Sequence, residues 1–126
     1  MQPYSAVVLG STGNVGRQIV NLLVASSAVR QVVVVNRRQT DEFKGMPKVR
    51  EVVVPDMDKL AETVESEARE AGATVGFCAI GVGKGSQKMP EAEVRKIEVQ
   101  YPEAFAKGCE AGGVLAMGLM TAVGIF

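Results

Sequence analysis

Three glycines separated by two residues each, in the run Gly10-Ser11-Thr12-Gly13-Asn14-Val15-Gly16, stand directly after a short apolar run and directly before a helical pattern. At a strand-turn-helix junction the first glycine permits the tight turn and the second lets the backbone approach a pyrophosphate. The third lets the helix pack closely on the strand, and amides at the helix N-terminus face the phosphates. All seven residues are therefore candidate ligands of a dinucleotide. A glycine-rich loop without a ligand is the competing reading, disfavoured by the strand-turn-helix context.

The end of the second apolar run bears on which dinucleotide is held. An acid roughly 20 residues beyond the glycines normally binds the ribose hydroxyls of NAD. Asn36 occupies that position, twenty residues past Gly16, and Arg37 and Arg38 follow it. No acid stands there to repel a 2′-phosphate, and two guanidinium groups can grip one, each charged hydrogen bond contributing roughly 1.5–3 kcal/mol. The residues point to NADP(H), with NAD(H) as the alternative, while two solvated arginines on a loop remain the competing explanation. Asp56, after the third apolar run, and Ala79, Ile80 and Gly81, at the end of the fourth, fall at the carboxyl edge of a parallel sheet and are candidates for the cofactor wall. For Asp56 a helix N-cap competes with an adenine contact.

Other chemistries are narrowed by composition. The chain has no histidine, which removes Ser-His-Asp and Cys-His nucleophile systems together with histidine-ligated metal sites, and no metal is expected. The stretch Gly81-Val82-Gly83-Lys84-Gly85-Ser86 departs from a Walker A loop. Cys78 stands where that motif needs its first glycine, and Gly85 where it needs a hydroxyl after the lysine. Lys84 and Ser86 are instead candidates to touch substrate from a loop beside the cofactor, against a reading in which the glycines serve only to turn the chain. Cys78 and Cys109 lack CxxC spacing and read as reduced, small apolar side chains.

The elements that must position these residues alternate between strand-length apolar runs and helix-length segments, the pattern of parallel strands joined by right-handed crossovers. Strands are expected at 5–9, 31–35, 49–54, 75–80 and 114–120. Helices are expected at 14–26, 60–71 and 90–111, the last a single long one that opens on Pro90 and closes at Gly112 and Gly113. This predicts an α/β, three-layer Rossmann fold with a parallel sheet in the order 3-2-1-4-5, one domain over 1–126, lacking the C-terminal part of a full dinucleotide-binding fold. The fifth strand would then be an apolar edge, so a truncated chain, a homodimer or a protein partner covering that strand is expected.

Charged residues make up 22% of the 126, with 14 basic against 14 acidic, and give no reason to expect nucleic acid or an anionic membrane as partner. The first apolar run, residues 6–9, is far shorter than a signal-peptide core or the ~20 residues of a membrane span, so a cytoplasmic location is expected.

GSTGNVG, the NRR after the second strand, VGFCAIGVGKG and the helix ending KGCEAGG together resemble the atypical short-chain dehydrogenase/reductases of the NmrA-like kind, especially the HIV Tat-interactive protein oxidoreductase group. The resemblance covers essentially the whole chain. It implies an NADP(H)-binding Rossmann protein, either a reductase acting on a small-molecule substrate or a redox-sensing regulator that binds other proteins. The family's catalysis uses a Ser or Thr after the fifth strand and a Tyr-x-x-x-Lys on the next helix. By resemblance Thr121 is the candidate for the hydroxyl role. The Tyr-x-x-x-Lys is absent, because Tyr4 precedes the first strand and Tyr101 is followed four residues later by Phe105.

Overall fold

Valine dominates the first two strands, and β-branched side chains favour an extended backbone buried on both faces. In a computed structural model that describes residues 2–11, 13–80 and 90–119, these runs form the centre of a five-stranded, all-parallel sheet. The strands are β1 (Tyr4–Leu9), β2 (Val29–Asn36), β3 (Val49–Val53), β4 (Ala73–Cys78) and β5 (Ala116–Leu119), in the order β3-β2-β1-β4-β5. The expected α/β architecture and strand order are those observed. Gly81, Lys84 and Ser86, and with them the glycine-rich loop, as well as Thr12 and Thr121, lie outside the described residues.

Two cores sandwich the sheet. Helix α1 (Asn14–Ala25) and the segment after β2 cover one face, where Val8, Val20, Val32, Val34 and Phe43 interlock. On the other, α2 (Leu60–Ala71) and α4 (Tyr101–Ala111) cover Val7, Val33, Leu60, Val64 and Phe105. The two cysteines belong to this second core, Cys78 at the end of β4 and Cys109 on α4, both buried and unpaired. Burial pushes both thiols up, and that of Cys109 reaches about 12, with the charge of Cys78 adding to the effect of burial.

Two departures from the sequence reading shape the site. The third helical stretch is interrupted: α3 (Glu91–Arg95) passes into a π-helical turn, Lys96–Gln100, before α4 begins. Pro102 explains the wider turn. It has no N–H for the regular ladder, and the amide before it, on Tyr101, donates instead to the Lys96 carbonyl five residues back. The fourth strand starts and stops two residues earlier than expected. Ala79 leaves the β4 ladder yet still donates from its amide to the Leu9 carbonyl (2.9 Å), keeping Ala79 and Ile80 beside the glycine turn. At the sheet's edge all four residues of β5 are exposed, and Leu115 just before it is 84% exposed.

Candidate functional site

At the carboxyl edge of the sheet, β1 ends at Leu9 and the chain turns at Gly10, whose φ of +87° lies in the left-handed region that glycine adopts without strain. A Cβ at Gly10 would come within 2.7 Å of the Ala79–Ile80 backbone, and one at Gly16 within 1.9 Å of the Gly10 carbonyl oxygen. These contacts press α1 and β4 onto the turn. Gly13 is different: it is exposed, and a Cβ there would meet nothing nearer than 4.0 Å. It stands at the N-cap of α1, where no side chain caps the helix and no acid lies in the first turn. The free amides of that turn, at Asn14, Val15 and Gly16, carry the positive end of the helix dipole. Asn14 and Val15 are exposed.

A cleft of about 460 Å³ opens beside this turn, within the roughly 300–1,000 Å³ of small-molecule sites. Leu9 and Gly10 form its floor. Asn36, Arg37, Arg38, Gln39 and Thr40 form one wall, and Met57, Ile80, Ile97 and Tyr101 form an apolar wall opposite. Sequence-selected Gly10, Asn36, Arg37, Arg38 and Ile80 are thus brought together. Arg37 and Arg38 are exposed, and neither guanidinium makes a hydrogen bond or ion pair among the described residues. Ala79 is buried and does not line the cleft.

Other selected residues sit elsewhere. Ser11 is fully buried and turned inward, its Oγ donating to Asn36 Oδ1 at 2.6 Å. Asn36 is itself only 6% exposed and donates through Nδ2 to Glu51 at 2.6 Å, so both ends of its amide are engaged. Asp56 does not line the cleft. Its carboxylate accepts from the Asp58 amide (3.0 Å) and caps the 3₁₀ turn Met57–Lys59 that leads into α2. The next residue, Met57, supplies the apolar contact to the cleft.

The sequence reading did not select Thr40, Met57, Ile97 or Tyr101 of the lining, nor Glu51. Ile97 and Tyr101 reach the cleft from the π-helical turn and the start of α4, and Pro102 beside Tyr101 is the signal that marks the break. Glu51, on β3, accepts from Asn36 Nδ2 and from both the amide and the hydroxyl of Thr40. An acid therefore stands beside the end of β2 after all, delivered by the pairing of Val34 with Glu51 and not by the local sequence. Among the described residues no cluster of histidine, cysteine or carboxylate side chains is arranged to hold a metal.

No family model matches the chain. The sequence is 31% identical over 120 residues to Protein FMP52-1, mitochondrial, of Scheffersomyces stipitis, covering 95% of this chain and 51% of that protein. It is 27% identical to Protein FMP52, mitochondrial, of Candida albicans, again covering 95% and 51%. The chain spans about half the length of the curated relatives it matches. The cytoplasmic expectation is corrected by these matches, since the relatives are named as mitochondrial proteins. The short apolar run at 6–9 excludes only a hydrophobic signal or span beginning there, and organelle import does not need one. No helix among the described residues is long and apolar enough to cross a membrane.

Among solved structures, uronate dehydrogenase from Agrobacterium tumefaciens superposes with a TM-score of 0.73 at 16% identity, covering 97% of this chain and 42% of that one. The Bordetella bronchiseptica enzyme WbmG, solved in complex with NAD, gives 0.74 at 14% identity over 94% of this chain and 37% of its own. The chain has the Rossmann-like α/β fold of these two structures.

Proposed function

We propose that this chain is the nucleotide-binding domain of a short-chain-reductase-like oxidoreductase and that it takes NADP(H) in preference to NAD(H). The observation that carries the reading is the cleft itself. Gly10 lines it and the glycine turn leads from there into the uncapped start of α1, while Arg37 and Arg38, whose guanidinium groups make no hydrogen bond or ion pair among the described residues, line it where the adenosine ribose of a dinucleotide falls in this fold. Backbone amides at 14–16 would hold the pyrophosphate, Arg37 and Arg38 the 2′-phosphate, and Met57, Ile80, Ile97 and Tyr101 the adenine. Thr12 and Gly81 are assigned to the same site on sequence grounds. When bound, the nicotinamide supplies hydride transfer.

Catalysis is placed outside what these residues provide. The chain has two tyrosines and neither is followed by lysine at the fourth position, so these residues supply no tyrosine-lysine proton relay. Thr121 remains the candidate hydroxyl by resemblance to the HIV Tat-interactive protein oxidoreductase group. The relatives' designation supports a mitochondrial setting. Titration calorimetry with NADPH and with NADH tests the reading. Saturable binding with NADPH tighter is expected, equal affinities would remove the cofactor preference, and no binding by a folded sample would remove the function.

The exposed β5 supports a second reading, in which dinucleotide occupancy is sensed by a protein that covers this strand, or by a second copy of the chain. Sedimentation with and without NADPH tests it, and a cofactor-indifferent monomer counts against it.

A further inference from the structure

Residues 37–39 are the exposed stretch that carries both arginines, and the residues on either side of it, Asn36 and Thr40, are bonded to one carboxylate. Glu51 Oε2 accepts from Asn36 Nδ2 at 2.6 Å and from Thr40 Oγ1 at 3.0 Å, and the Thr40 amide is shared between Oε2 (3.2 Å) and Oε1 (3.3 Å). We infer that Glu51 is the positioning residue for cofactor selectivity: it staples the two ends of the arginine segment to β3 and so fixes where the guanidinium groups stand. The inference rests on the dinucleotide reading above.

Geometry separates this role from the one an acid usually plays beside β2. A carboxylate with a free oxygen there would take the hydroxyls of an unphosphorylated ribose and oppose a 2′-phosphate. Glu51 offers both oxygens to protein donors instead. It sits under the segment, half-buried, and does not line the cleft, whereas Asn36 and Thr40 do.

The staple is also wired to the phosphate end of the site. Ser11 Oγ, from inside the glycine turn, donates to Asn36 Oδ1, so one chain of hydrogen bonds runs from the turn through Asn36 and Glu51 to Thr40. Beyond Thr40 the segment is held again, by Phe43 in the core and by Glu42, which accepts from Arg17 on α1 at 2.9 Å through both of its oxygens. A segment of three residues held at both ends loses little freedom when it grips a ligand, which is how preorganisation raises affinity.

The test measures NADPH and NADH affinity, and amide hydrogen exchange across 37–40, in the 126-residue chain and its Glu51→Ala, Glu51→Gln and Thr40→Val variants. Glu51→Ala is expected to weaken NADPH at least tenfold and NADH less than threefold, with faster exchange at 37–40 and unchanged exchange in β1. Glu51→Gln keeps the volume, and Thr40→Val breaks the staple from its other end; both are expected to fall between, and they carry the test if the alanine variant does not fold.

Tighter NADPH binding in any of these variants would show the carboxylate opposing the phosphate and overturn the inference, as would equal losses for both cofactors or unchanged exchange. If the unaltered chain itself shows no NADPH preference, the arginine reading fails on that measurement alone. The selectivity role then falls with it, while the exchange data still decide whether the staple exists.

Discussion

Helices α1 and α2 are each twelve residues long and cross the same sheet, but they finish their ends in opposite ways. The approach to α2 is capped by the Asp56 carboxylate, its first turn carries Glu62 and its last turn Arg69, and Gly72 closes it in the left-handed conformation. Lys59, the N-cap of α2, supplies no side-chain cap either, but the capped 3₁₀ turn runs straight into the helix and its Met57 carbonyl accepts from the Leu60 amide. The start of α1 has a glycine N-cap, no side-chain cap and no acid in the first turn. The two helix starts thus differ in what precedes them, a glycine turn without a side-chain cap in one case and a capped 3₁₀ turn in the other.

The comparison can be broken most forcefully at Gly16. Its Cβ would meet the Gly10 carbonyl at 1.9 Å, so Gly16→Ala is expected to cost ~3 kcal/mol of stability in a denaturant titration and to abolish dinucleotide binding. A stable, binding-competent variant would show that α1 does not need to touch the turn.

Next in size, replacing both Arg37 and Arg38 by alanine removes the two guanidinium groups proposed to hold the 2′-phosphate. NADPH affinity is expected to fall by roughly 100-fold and NADH affinity by much less, read by calorimetry. Gly13→Asp sharpens the contrast because its two effects have opposite signs. Gly13 has an extended backbone and open space around its Cβ position, so an aspartate fits and caps α1. The unliganded chain should gain a few tenths to ~1 kcal/mol, while dinucleotide binding weakens about tenfold because a carboxylate now occupies the phosphate's place. Smallest is Asp56→Ala, expected to lose ~1 kcal/mol of stability with both cofactor affinities unchanged. A cofactor-selective loss there would return Asp56 to the cleft wall.

How far the sequence could be read follows from where each signal resides. Strand order was legible because apolar run lengths and glycine spacing are local properties, and right-handed crossovers leave few ways to lay such runs side by side. The positions of Arg37, Arg38 and Ile80 were legible for the same reason, as residues just past the ends of parallel strands. Glu51 was not legible. It sits within β3 of a chain that pairs in register with β2, and only that pairing, Val34 opposite Glu51, brings it to Asn36. The inward turn of Ser11 was hidden likewise, since a small polar residue in a glycine turn suits a phosphate as well as a buried amide. Ile97 and Tyr101 reach the cleft because a proline widens one helical turn, which shifts the face those side chains occupy, while a uniform 3.6-residue period over 90–111 assigns them to packing.

The buried thiols of Cys78 and Cys109 have one more consequence. Sealed between β4 and α4, and held in the unreactive protonated form, they act as built-in clocks for breathing of that layer. An alkylating reagent is expected to reach them only when that layer opens, so the labelling half-life would measure how often it does. Because Tyr101 of the same helix lines the cleft, a ligand seated there should slow the clock, and thiol labelling becomes a count of occupancy that needs no knowledge of the substrate.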